Sequence, residues 1–404
     1  MTQPSTTGRE PTPISTRRSG FGPAPEVAAV RAAEGIVRVP TPFGPPAWLL
    51  TRHADVRRML GDADSFINGW GPADLDAGQR PARDPRQLSG HRSGNILSLD
   101  PPDHTRLRRL LTPEFTVRRM RRLQPRIAEI VDEHLDALER HGPPADLVAE
   151  YALPIPSLVI CELLGVPTTD RAEFQERTRR QLDTTAPEAD RIELSEESIA
   201  YMTGLVDRAR ERPGEDLIGM LIRDHADALS NAELIGIANL LLVAGHETTS
   251  NMLGLGTLAL LRHPEQLAIV RDDPAAVPGA VEELMRWLSV VNGGSPRMAV
   301  RDVELDGVTI RRGDLVNVNL PAANRDAGLL EQPERFDVTR SAAPHVGFGH
   351  GIHHCLGAPL ARMEMRIAFP ALLQRFPGLH VVDEEIAYAA DQAIYGLQHL
   401  NVGW

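Results

Sequence analysis

The chain has 404 residues, 42% of them apolar, and a net charge of −12, which describes a globular protein without the basic footprint that nucleic-acid binding needs. All 43 basic residues are arginine. The lack of lysine excludes a pyridoxal Schiff base, a lysine nucleophile and a Walker phosphate loop.

Residues 1–22 are dominated by Pro, Ser, Thr and Arg with no apolar period, and predict a disordered tail; residues 23–404, undivided by any linker, predict one large domain. Ile36 to Thr51 carries a short apolar alternation broken by prolines and predicts a small hairpin. Residues 65–95, rich in Gly, Pro, Asp and Arg, predict an irregular functional loop such as a lid. Helical patterns follow at 104–111, 118–141, 149–164, 190–210, 214–224, 231–262, 275–288 and 356–375, with strand-like runs at 299–304, 307–310 and 315–319. The expected fold class is mainly α, a single helical domain with small β-sheets. Arg118, Arg119, Arg121, Arg122 and Arg126 read either as a solvated face or as a docking patch for an acidic electron donor.

The two cysteines are Cys161, in an apolar run where a core residue is the default, and Cys355. So few suit a reducing compartment. No signal-peptide core and no apolar run long enough to span a bilayer is present, so a cytoplasmic monomer is expected.

Ser230-Asn231-Ala232-Glu233 is a capping box, and the helix it starts runs for about 32 residues, or nearly 50 Å, before His263-Pro264 ends it. In its middle stands Ala244-Gly245-His246-Glu247-Thr248-Thr249. A mid-helix glycine costs about 1 kcal/mol relative to alanine, so Gly245 predicts close approach by something flat. Thr248 predicts a hydroxyl turned onto a backbone carbonyl, and an acid beside an alcohol on a buried helix can relay protons. Two motifs in this helix fail. His246-Glu247 lacks the second histidine of HExxH, since Ser250 stands there, and Gly254-Leu255-Gly256 lies inside a helix instead of between strand and helix. Glu283 and Arg286, three apart, share one face of a later helix, and such pairs are most often solvated.

Phe348-Gly349-His350-Gly351-Ile352-His353-His354-Cys355-Leu356-Gly357 then offers one cysteine from a glycine-rich loop at the mouth of a helix. Backbone N–H groups and the helix dipole there are expected to lower the thiol pKa and favour the thiolate that ligates iron. A buried structural thiol and a zinc site built from His345, His350, His353, His354 and Cys355 are the competing readings. Zinc sites usually join two separated ligand pairs, and no second cluster exists.

The run from Phe348 to Arg362 resembles the haem-binding signature of the cytochrome P450 family, matching it at Phe348, Gly349, Gly351, His353, Cys355, Leu356, Gly357, Leu360, Ala361 and Arg362. The resemblance, nearest to actinobacterial members from antibiotic pathways, implies a haem (haem b) buried between the long helix and the cysteine loop, with Cys355 as axial iron ligand. It implies His104, Arg108, Arg297 and His353 as propionate partners, and Glu283, Arg286 and Arg335 as a structural ion network. Glu247 and Thr248 become the proton-delivering pair. Val243, Ala244, Val291, Asn292 and Ile394 are expected to line the substrate pocket, with Gly293 and Gly294 leaving room for a large ligand. The implied reaction inserts one atom of O2 into a C–H or C=C bond of a bulky, largely apolar metabolite such as a macrolide or other polyketide. Electrons would come from NAD(P)H through a ferredoxin reductase and a ferredoxin. The rival is a non-enzymatic haem sensor or carrier, which would not need the acid and alcohol.

Overall fold

A computed structural model of the chain describes residues 17–41, 44–68, 93–181, 188–225, 227–294, 296–341, 343–390, 392 and 394–404. Most of the expected tail and most of the expected lid (69–92) lie outside them.

The order of elements is α1 (Pro25–Ala33), β1 (Ile36–Thr41), β2 (Gly44–Leu50), α2 (His53–Gly61), β3 (Phe66–Ile67), α3 (Asp103–Leu111), α4 (Val117–Met120), α5 (Gln124–His141), β4 (Ala145–Asp146), α6 (Pro154–Leu164), α7 (Arg171–Gln181), α8 (Glu188–Glu211) and α9 (Leu217–His225). It continues with α10 (Asn231–Leu261), α11 (Pro264–Asp272), α12 (Val277–Leu288), β5 (Arg297–Ala299), β6 (Val303–Leu305), β7 (Val308–Ile310), β8 (Leu315–Val318), α13 (Leu320–Asn324), α14 (Ala358–Arg375), β9 (His380–Val381) and β10 (Asn401–Gly403).

The predicted hairpin is β1–β2, antiparallel with Ile36 opposite Leu50. It belongs to a sheet ordered β1-β2-β8-β5-β3, in which β2 and β8 run parallel with Ala47 opposite Leu315. A small sheet β4-β10-β9 and the hairpin β6–β7 complete the β structure. The main core gathers α10, α5, α6, α12 and α14, and a second core lies under the larger sheet. The capping box forms as predicted: the Ser230 N–H donates to Glu233 Oε2 at 2.9 Å and the Glu233 N–H to Ser230 Oγ at 3.2 Å.

Three boundaries differ from expectation. The helix expected over 118–141 breaks between α4 and α5, because Pro125 has no N–H for the preceding turn and fits only at a helix start. The one expected over 149–164 is a π-turn (Val148–Ala152) followed by α6, restarted by Pro154. The strand expected at 299–304 is the end of β5 and the start of β6. Helices α1, α2, α7 and α11 escaped the apolar-period reading; the first two and α11 have only nine residues, and α7 is almost wholly polar.

The N-terminal segment also departs from expectation. Arg18 is 2% exposed and Arg18 to Gly22 lie against the domain, so the expected disorder does not extend to residue 22.

Candidate active site

The cysteine loop is built by backbone geometry. Gly349 and Gly351 both take φ of +72°, which side chains on L-residues resist, and a Cβ on Gly351 would lie 2.3 Å from the Leu60 carbonyl of α2. The glycine thus seats the loop against α2, not only against a flat ligand. The Cys355 N–H donates to the Phe348 carbonyl at 2.9 Å, and α14 begins three residues later. The N–H groups of Gly357 and Ala358 point at the thiol. These, with Arg108 and Arg362, favour the thiolate, but burial outweighs them and holds the Cys355 pKa above the ordinary thiol value, contrary to the sequence expectation. Cys355 is nevertheless exposed, and so open to a ligand.

Beside it, four side chains from distant parts of the chain converge. The His104 and His353 rings lie 4.4 Å apart between centroids. Arg108 and Arg297 act electrostatically on His353, and Arg108 on Cys355. Arg297 is buried and donates to the Leu60 carbonyl at 3.2 Å. Both ring nitrogens of His104 and Nδ1 of His353 are buried without a hydrogen-bond partner among the described residues, while His353 Nε2 meets Asn68 Nδ2 at 2.8 Å. Burial and these cationic neighbours hold His353 down at about 3. One buried and one half-buried guanidinium group with three unsatisfied imidazole nitrogens are the complement of a bound carboxylate, so the donor set fits a haem with its propionates. The histidine cluster does not converge as a zinc site would: His345 turns to Glu282 at 3.2 Å and His353 to Asn68.

Helix α10 packs against α14, the helix that follows the cysteine loop. Thr248 Oγ1 donates to the Ala244 carbonyl at 2.8 Å, as the sequence predicts, and Ala244 is exposed between half-buried Val243 and Gly245 in the middle of the helix. Among the described residues no cation acts on Glu247, and burial raises its carboxyl to about 7. Gly245 corrects the sequence reading: the Ile160 Cδ1 of α6 occupies the place of a Cβ, 2.4 Å away, so this glycine serves helix packing. Gly256 likewise faces Phe369 of α14, which removes any nucleotide-loop reading.

The ion network is deeper than helix spacing alone suggests. Arg286 makes two parallel bonds to Glu283, 2.7 and 2.8 Å, and the side chains are 1% and 3% exposed. Arg286 also donates to the carbonyls of Asn324, Pro333 and Arg335. The third cation is corrected. The Arg335 side chain is 61% exposed and offers the network only its carbonyl, whereas Arg340 Nε lies 3.6 Å from Glu283 Oε1. In Asp337-Val338-Thr339-Arg340 the chain turns, with Thr339 bonded to Asp337, which directs Arg340 inward. The Pro-Glu-Arg-Phe match drew attention to the wrong arginine.

Val291 and Ile394 meet in an isolated antiparallel bridge, and Val291 touches both cores. Asn292 does not face the same way: its Oδ1 accepts from Arg18 Nη1 at 3.1 Å. Gly294 borders open space, but a Cβ on Gly293 would lie 2.3 Å from the Val318 carbonyl, so Gly293 permits backbone contact and leaves no room for a ligand. In the basic cluster, Arg126 pairs with Glu129, Glu133 and Glu162, and Arg119 with Glu114 at 3.0 Å, leaving Arg118, Arg121 and Arg122 exposed around an exposed Val117.

A mainly helical fold, an exposed cysteine in a glycine-rich loop and a neighbouring arginine and histidine cluster fit a haem protein. The comparisons agree. The model of the family "Cytochrome P450" matches residues 192–386. Cytochrome P450 FAS1 of Rhodococcoides fascians is 48% identical over 97% of this chain and 98% of its own. The mycinamicin IV hydroxylase/epoxidase of Micromonospora griseorubida is 42% identical over 93% of this chain and 94% of its own. The solved structure of P450 StaH from glycopeptide antibiotic A47934 biosynthesis covers 98% of this chain and 100% of its own, with 44% identity and a TM-score of 0.88. The chain belongs to the cytochrome P450 family and is a monooxygenase of that family, whose chemistry uses haem, O2 and reducing electrons. Among the described residues no helix is long and apolar enough to cross a membrane.

Proposed function

We propose that the protein oxygenates a bulky, largely apolar secondary metabolite of the macrolide or polyketide class, by hydroxylation or epoxidation. Glu247 carries this reading over that of a haem carrier. A carboxyl poised at about 7 by burial both gives and accepts a proton near neutrality, a property that simple ligand carriage does not require. Similarity to the mycinamicin hydroxylase/epoxidase supports the substrate class.

Bound haem b would supply reduction of O2 and transfer of one of its atoms to the substrate. Cys355 would ligate its iron, and His104, Arg108, Arg297 and His353 would hold its propionates. Thr248, its own proton engaged by the Ala244 carbonyl, presents lone pairs to the interior and can accept a hydrogen bond there. Glu247 and Thr248 are adjacent, about 100° apart around the helix, so a proton passes between them through water. Val243, Ala244, Val291 and Ile394 would wall the substrate side and exclude bulk water. Electrons would arrive from NAD(P)H through a reductase and an acidic ferredoxin seated on Val117, Arg118, Arg121 and Arg122. Helix α4 packs on α14, the helix that follows the ligand loop.

Similarity to the P450 from glycopeptide antibiotic A47934 biosynthesis supports a second substrate class, peptides. The test is NADPH consumption with surrogate ferredoxin and reductase against a panel of macrolides and peptides. Oxygenated macrolide supports the first class and oxidised peptide the second. NADPH-independent haem binding with no product from any of them supports the carrier. The reduced, carbon monoxide-bound protein should show the red-shifted Soret band of thiolate ligation; a histidine-like band overturns the Cys355 assignment.

A further inference from the structure

Helix α12 ends in a set of carbonyls that have no partner within the helix. Ser289, in a left-handed conformation at φ of +43°, turns its hydroxyl back to the carbonyls of Met285 and Arg286. Arg325 takes that of Trp287. The next two, Leu288 and Ser289, are taken by an arginine some 270 positions earlier in the chain. Arg18 Nη2 donates to Leu288 O at 2.7 Å and Nη1 to Ser289 O at 2.9 Å.

Arg18 grips more than a helix end. Its Nη1 also reaches Asn292 Oδ1 at 3.1 Å, and its guanidinium carbon lies 4.0 Å over the Tyr395 ring. Tyr395 in turn donates its hydroxyl to Gly20 O at 2.7 Å and its N–H to Val290 O at 2.8 Å. Between these contacts stand Val291 and Ile394, paired in their isolated bridge. One side chain therefore binds both ends of Ser289–Asn292 and, through a ring face, the strand opposite.

Among the described residues the partners of Arg18 are carbonyls, an amide and a ring, all neutral, so a full charge is buried there without a carboxylate. A short apolar residue would avoid that desolvation. What only a guanidinium provides is a flat fork that fixes several acceptors in one plane.

We propose that Arg18 is a positioning residue for substrate recognition: it sets the path of Ser289–Asn292 and hence where Val291 and Ile394 stand in the pocket wall. The inference rests on the proposed reading that these two residues line that pocket.

The test uses the haem-loaded enzyme and two probes that bind the haem iron, imidazole and 4-phenylimidazole, titrated by their spectral shifts. Imidazole needs little of the pocket, whereas the phenyl group must pass the wall. Arg18→Lys keeps the charge but loses the fork, and Asn292→Ala removes only the grip on the pocket segment. Val291→Phe serves as the control for the wall itself. The expected result is about a five-fold or larger loss of 4-phenylimidazole affinity in Arg18→Lys and Asn292→Ala, with imidazole affinity within about two-fold of the parent. If Val291→Phe changes the ratio of the two affinities and Arg18→Lys and Asn292→Ala do not, the positioning role is overturned and the pocket reading stands. If none of the three changes it, the pocket reading fails and the proposal with it. Equal loss for both probes in the Arg18 and Asn292 variants would mark a general structural role and also overturn the proposal.

Discussion

Glu247→Gln should change how folding stability depends on pH. In the native protein burial raises the Glu247 carboxyl from 4.5 to about 7. Below pH 4.5 both folded and unfolded chains carry the proton, and the raised pKa has no effect. Between 4.5 and 7 the unfolded chain releases it while the native one retains it, so stability falls as pH rises; above 7 both are ionised and the loss is complete. At 1.36 kcal/mol per pH unit the full loss is about 3 kcal/mol, and partial solvation of the side chain reduces it to roughly 1–3 kcal/mol. Glutamine, neutral throughout, escapes it. Urea denaturation of parent and variant holoprotein from pH 5 to 8 therefore gives a stability difference that grows in favour of the variant up to pH 7 and then levels. The other titrating groups cancel in that difference. A difference independent of pH would show that the carboxyl ionises normally and remove the physical basis for its role in proton delivery.

Thr248→Ala should uncouple turnover several-fold, with peroxide rising as product falls; equal product per NADPH in variant and parent would remove the hydroxyl from proton delivery. Arg297→Leu combined with His104→Phe should lower haem occupancy after purification, because each loss leaves a buried carboxylate with one partner fewer. Full occupancy at unchanged melting temperature would rule out those contacts. Arg340→Leu should cost about 1–3 kcal/mol by weakening the charge balance at buried Glu283, whereas Arg335→Leu should stay within about 0.5 kcal/mol, as exposed pairs do. Thermal denaturation giving the reverse order would restore Arg335 to the network.

The sequence made long, self-contained signals legible. The capping box at Ser230 and the period behind it located α10 to within a residue, and the cysteine loop stood out because its glycines and its single thiol lie consecutively. Helices such as α7 were hidden because their apolar stripe is too thin to show a period. At the site, residue types that act through chain-local geometry, such as Thr248 on the Ala244 carbonyl, were readable. What depends on tertiary approach was not. Gly245 makes room for Ile160, Gly293 for the Val318 carbonyl, and Asn292 turns to Arg18, none of which spacing reveals. The Cys355 thiol failed in sign for the same reason, since burial is a property of everything around it. Arg18 itself sat in a segment whose composition predicts disorder, and nothing in the local sequence distinguishes it from its neighbour Arg17.

The long reach of that arginine bears on the order in which the protein assembles. Closing a loop of about 270 residues costs about 5 kcal/mol in chain entropy beyond a constant, more than the first one or two of its hydrogen bonds return. Pairing of β2 with β8, Ala47 opposite Leu315, brings the two regions together by a broader contact and leaves Arg18 only about thirty residues from Ala47. The N-terminal strap therefore docks after the sheet has closed. During synthesis Arg18 precedes its acceptors by some 270 residues and waits for them, so a substitution at Arg18 would burden the closing stage of folding and spare the earlier ones.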